Sequence, residues 1–162
     1  GNLAKPASFN TIRYHGFYKG VASGCSMHMS SSDQLEIPPN LTCIEEYVVK
    51  EEHVAKHVGS GDIGVLSTPS MIAFMERTSM KCVQQYLPQN YTTVGTLVNV
   101  RHLNPAPLGG IIKVESKLIA QDGRRLLFEV KAFYKNVLIG EGQHERFIVH
   151  REKFAEKLRR IL

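Results

Sequence analysis

The chain has 162 residues, 43% of them apolar, enough to bury the core of one globular domain without staples. Its formal net charge is +5, but residues 1–32 carry Lys5, Arg13 and Lys19 with no acid, which leaves +2 for the remainder and no footprint for nucleic acid. No stretch is apolar for long enough to span a bilayer, and Cys25, Cys43 and Cys82 show neither CxxC spacing nor an even-numbered framework, so the expectation is a reducing, cytoplasmic setting without zinc.

Residues 1–32 bear Ser and Gly, lack clear periodicity, and read as an N-terminal extension to a domain spanning 33–162. An acid-poor N-terminus of this kind also suits a transit segment into an organelle matrix, and an alternative start at Met27 or Met29 suits it equally. Residues 41–49, LTCIEEYVV, read as a first strand, and EEHVAKHVGSGD as a short helical turn running into a glycine-broken loop. His53 and His57 stand four apart, as helical metal ligands would. No HExxH surrounds them and no third ligand is near in sequence, so they read as a solvated or capping pair and no metal is expected.

Residues 67–87, STPSMIAFMERTSMKCVQQYL, make the best-marked helix. Ser67 or Thr68 can cap it, Pro69 is pre-set for the first helical position, and helix formers run unbroken to Pro88. At about 100° per residue, Ile72, Met75, Glu76, Ser79, Val83, Tyr86 and Leu87 fall on one arc. That arc sets the Glu76 carboxylate among aliphatic neighbours, which is costly unless the group is paired or working. The alternative is an acid at the edge of the stripe whose head reaches water.

Four β segments follow, at 92–103, 110–121, 124–136 and 137–150, with Asp122-Gly123 as a hairpin signal between the second and third. The third alternates, with Leu126, Phe128, Val130, Ala132 and Tyr134 on one face and Glu129 and Lys131 on the other. The closing REKFAEKLRRIL is a basic amphipathic helix, read as packing Phe154 and Leu158 on the sheet edge rather than lying on a membrane. A strand, a long apolar helix and four antiparallel strands make an α+β domain, an order that suits a hotdog fold, the antiparallel sheet wrapped around one long central helix. Such a sheet leaves an edge for a second copy.

Three polar residues stand where structure alone prefers something else. Thr68 lies at the mouth of the helix, where free N–H groups and the positive end of the dipole face outward. Glu76 is two turns further in, and His102 ends the strand TVGTLVNV, sharing a face with Thr96, Val98 and Val100. Converging near a helix start, a hydroxyl, a carboxylate and an imidazole would supply a nucleophile or its holder, a base and a proton shuttle, with N–H groups for an oxyanion. By spacing alone, Thr68 is equally a plain cap and His102 equally structural.

The runs STPSMIAFME, TVGTLVNVRHLNPAPLGG and GEGQHERFIVHREKF resemble the hotdog thioesterases of the fluoroacetyl-CoA thioesterase type over roughly residues 38–154, in that family's order and spacing. The resemblance implies acyl-CoA hydrolysis by a homodimer, with Thr68, Glu76 and His102 catalytic, Gly95 and Arg146 binding substrate, and no cofactor beyond the coenzyme A of the substrate. It leaves open whether Glu76 attacks the thioester or activates water. One departure bears on specificity. The phenylalanines that gate the fluoroacetate enzyme's pocket have no counterpart in HVGSGDIGVLS, where Gly59 and Asp62 stand at the aligned places. The second reading is a non-catalytic acyl-CoA-binding hotdog, a sensor or carrier, against which the acid in the pocket argues.

Overall fold

The computed structural model describes residues 35–162. The N-terminal extension expected over 1–32, and Cys25 with it, lie outside the described residues. The chain runs through β1 (Thr42–Val48), a 3₁₀ turn (Glu51–His53), the short helix α1 (Ala55–Val58), the long helix α2 (Thr68–Gln84), and four strands, β2 (Tyr91–His102), β3 (Ile111–Asp122), β4 (Arg125–Tyr134) and β5 (Val137–His150). It closes with α3 (Arg151–Ile161). Every pairing is antiparallel, in the order β1-β3-β4-β5-β2, so β1 and β2 are the two edges.

Two tight hairpins join β3, β4 and β5. Gly123 takes the first at φ 59°, as its lack of a Cβ allows. The second uses Lys135 and Asn136, both left-handed at φ 46° and 64°, the two-residue geometry whose twist matches the flanking strands. The sequence pattern runs the strand through both residues, because neither is glycine.

α2 lies across the sheet and contacts all five strands. Ser67 caps it, its Oγ accepting from Ser70 N at 3.1 Å, so Pro69 falls one position later than expected and the helix ends at Gln84. Its buried face is Met71, Phe74, Met75, Thr78, Ser79, Cys82 and Val83. This is rotated from the expected arc: Ile72 and Glu76 are half-buried on its flank, and Tyr86 lies beyond the helix and is exposed. The rotation follows from packing. Phe74 stacks on Tyr47 at 4.5 Å, and Tyr47 Oη shares a 3.0 Å hydrogen bond with Thr78 Oγ1. Opposite, Ile112, Val114, Leu118, Leu126, Phe128, Val130, Ala132, Ile139 and Ile148 line the inner face of the sheet. A side chain at Gly140 would collide with the buried Met71, so this glycine sets how closely the helix approaches β5.

The cysteines correct the sequence reading. Cys43, on the inward side of β1, is joined to Cys82 of α2 in a disulfide that spans 39 positions. No local spacing announces the pair, and the reducing compartment inferred from unpaired cysteines loses that ground. At the C-terminal end, Phe154 of α3 is half-buried and Leu158 is 40% exposed, so neither residue is buried as fully as packing on the sheet edge would make it. Among the described residues no helix is long and apolar enough to cross a membrane.

Candidate active site

Because Ser67 takes the cap, the Thr68 hydroxyl is released from that duty. It lies exposed on the first turn of α2 and meets His102 Nδ1 at 2.8 Å. His102 is placed by the end of β2, where Leu103 and Asn104 both turn their N–H groups to the Ile139 carbonyl and carry the chain away from the edge. Burial lowers the His102 pKa from the ordinary histidine value, and the backbone of Asn104 pulls the other way. The ring is therefore neutral near pH 7. Its Nε2 is out of contact with solvent and has no hydrogen-bond partner among the described residues.

Glu76 lies eight residues along α2, roughly 12 Å at 1.5 Å per residue, and does not join that pair in one hydrogen-bonded cluster. It has its own surroundings, centred on Gly95. A Cβ at Gly95 would stand 3.7 Å from Glu76 Oε1, 3.5 Å from Arg146 Nη1 and 3.3 Å from His144 Cε1. Gly95 is not in the left-handed region, so the backbone does not require glycine there. What the glycine leaves open is a space that three polar side chains border, the His144 ring most tightly. Arg146 is buried and held by Thr93: Nε donates to Thr93 Oγ1 at 2.7 Å and Nη2 to the Thr93 carbonyl at 2.9 Å. Its Nη1 donates to His144 Nε2 at 3.1 Å.

The five expected residues thus form two foci along one helix, Thr68 with His102 at its start and Glu76 with Gly95 and Arg146 two turns on. His53, by contrast, is taken up locally, its Nδ1 accepting from Lys50 N at 3.0 Å, and no cluster of His, Cys, Asp or Glu among the described residues has the arrangement of a metal site.

The model of the family described as fluoroacetyl-CoA-specific thioesterase matches residues 49–152, which include all five of these positions. A fluoroacetyl-CoA thioesterase of Streptantibioticus cattleyicolor is 35% identical over 95 residues, 59% of this chain and 68% of that protein. The chain belongs to the fluoroacetyl-CoA thioesterase family. The solved structure of the fluoroacetyl-CoA thioesterase FlK superposes with a TM-score of 0.72 at 27% identity, covering 77% of this chain and 97% of that one. A hot-dog-like protein from Thermanaerovibrio acidaminovorans, at 18% identity, shares the fold with a TM-score of 0.73 over 82% of this chain and 98% of its own. The architecture is the hotdog fold expected from the order of elements.

Sequence reasoning assigned no role to two members of the second focus, Thr93 and His144. The signal was present for His144. It alternates with Arg146 and Ile148 on the inward face of β5, where two polar side chains in succession are unusual.

Proposed function

We propose that this chain hydrolyses acyl-CoA thioesters in the pocket between α2, β2 and the inward face of β5, with Thr68, Glu76 and His102 as the catalytic set. Family membership makes the chain a thioester hydrolase. The observation that carries the residue assignment is the Thr68–His102 hydrogen bond, made by a hydroxyl with no capping duty and a ring that burial keeps neutral. In the reaction a water oxygen bonds to the acyl carbon and the carbon–sulfur bond breaks, or the Glu76 carboxylate bonds there first and water then cleaves the resulting anhydride, releasing the acid and restoring Glu76. The departing CoA thiolate takes a proton. The Arg146 guanidinium, which borders the Gly95 space beside Glu76, is the charge that stabilises the developing oxyanion. His102 passes the proton, and Thr68 orients it. Gly95 leaves room for the acyl group beside Glu76.

The working unit in this proposal is a homodimer. β2 stands at the sheet edge, carries Gly95 and His102, and is twelve residues long, an edge that a second copy's β2 would cover. A panel of acyl-CoA substrates assayed for thiol release tests the activity. Turnover of at least one is expected, whereas tight binding of several with turnover of none would replace the enzyme by a sensor. Light scattering tests the assembly, and a monomer at micromolar concentration would refute it.

A further inference from the structure

We propose that His144 is a positioning residue of this site, its neutral ring carrying the proton on Nδ1 and holding the Arg146 guanidinium beside Gly95 and Glu76. The inference rests on the reading of this pocket as the hydrolytic site. It begins in the backbone. Gly95 pairs with Arg146 and Leu97 with Glu145, so Thr96 is an extra residue in β2 and the ladder is broken there. A bulge of this kind re-aims the groups around it. The Leu97 carbonyl stands 2.8 Å from His144 Nδ1.

The directions of the hydrogen bonds then follow without any hydrogen being seen. A carbonyl only accepts, so Nδ1 must carry a proton. A guanidinium only donates, so Nε2, 3.1 Å from Arg146 Nη1, must offer a lone pair. One ring satisfies both demands only when it is neutral and in the Nδ1–H tautomer. The ring's low pKa, about 4, agrees. Thr93 holds Nε and Nη2 of the arginine, and His144 holds Nη1, the nitrogen that borders the Gly95 space. His144 is 1% exposed and packs against Phe128, so it acts through Arg146 and not on substrate. Its part is to keep one positive charge at a set place beside the carboxylate, where small misplacements are costly to the rate.

Two substitutions separate its two bonds. His144→Asn places an amide nitrogen near the position of Nδ1, keeping the donor to Leu97 while removing the acceptor for Arg146. His144→Gln places an amide oxygen near the position of Nε2 and keeps that acceptor. The expected result with an acyl-CoA substrate is a kcat about 10²-fold lower for the Asn variant with little change in KM, and recovery of most of the loss in the Gln variant. Equal rates in the two variants, or a loss of thermal stability alone, would overturn the proposal. Nitrogen-15 shifts of the His144 ring in the wild type provide a readout independent of turnover and of how the variants fold. A protonated Nδ1 and bare Nε2 are expected, and a proton on Nε2 would overturn the proposal. A wild type with the expected tautomer that hydrolyses no CoA thioester would overturn the catalytic reading, and the role with it, while the hydrogen-bond chain stands.

Discussion

His102→Ala separates an enzyme from a binder because its costs to stability and to rate differ in size. The substitution removes the 2.8 Å bond to Thr68, whose hydroxyl is exposed and finds water instead, a net loss of about 0.5–1.5 kcal/mol. It also removes the buried, unpartnered Nε2, which offsets part of that loss. A change of about 1 kcal/mol moves the melting temperature by only a few degrees in a domain of this size. A proton shuttle contributes about 10²–10⁴-fold in rate, or about 3–5 kcal/mol of transition-state stabilisation. The variant should therefore melt within a few degrees of wild type, bind CoA measurably by calorimetry, and release thiol from short acyl-CoA substrates at least about a hundredfold more slowly. Wild-type rate should also fall at acid pH, with an apparent pKa below the ordinary histidine value because burial opposes the charged ring, and the variant should lack that limb. A variant that keeps wild-type kcat, or one that loses stability and binding in proportion to rate, would refute the assignment.

The remaining expectations concern the frame of the site. Gly95→Val fills the space that Glu76, Arg146 and His144 border, and should abolish turnover while leaving melting within a few degrees; a fully active variant would show that substrate does not use that space. Reducing the Cys43–Cys82 bond, which closes a loop spanning 39 positions, should cost about 4 kcal/mol in the chain-entropy view, read as a drop in melting temperature with dithiothreitol; an unchanged melting curve would count against the bond. His144 has a folded pKa of about 4 against about 6.5 unfolded, burial being the main cause, the Leu97 bond opposing it and the Arg146 charge adding to it. The unfolded chain therefore holds the proton more tightly, and about 3 kcal/mol of stability, complete above pH 6.5, is lost as the pH falls toward 4. His144→Gln should flatten melting temperature against pH in that window, and an unaltered slope would show that other groups cause it.

Some of this protein is written plainly in its sequence. The inward Leu126, Phe128, Val130 and Ala132 of β4 recur at every second position around the outward Glu129 and Lys131, so their burial is legible from period alone. The buried arc of α2 is harder, because Thr78 and Ser79 count as polar in a pattern but are core residues in fact. Thr78 donates to the Phe74 carbonyl at 2.8 Å, and Ser79 pairs with Ser116 at 2.7 Å, so neither hydroxyl needs water. The Cys43–Cys82 bond exists only once β1 and α2 have packed, and no spacing encodes it. Thr68 and His102 stand out in the residue pattern, but that pattern fits a cap and a structural histidine equally, and only the resemblance implies a catalytic role for them. What distinguishes them is that Ser67 supplies the cap, a fact of geometry. His144 stayed silent because its meaning lies in two hydrogen bonds, one made possible by a bulge that no single residue announces.

The most direct test of the central claim is thiol release by Glu76→Gln beside wild type on an acyl-CoA that the wild type turns over. The variant keeps the size of the side chain and removes the carboxylate to which the proposal gives the attack on the thioester or the activation of water. Its kcat/KM should fall about 10³-fold or more with the melting temperature unchanged within a few degrees. Near-normal turnover by a folded Glu76→Gln protein would remove the acid from the mechanism and contradict the account.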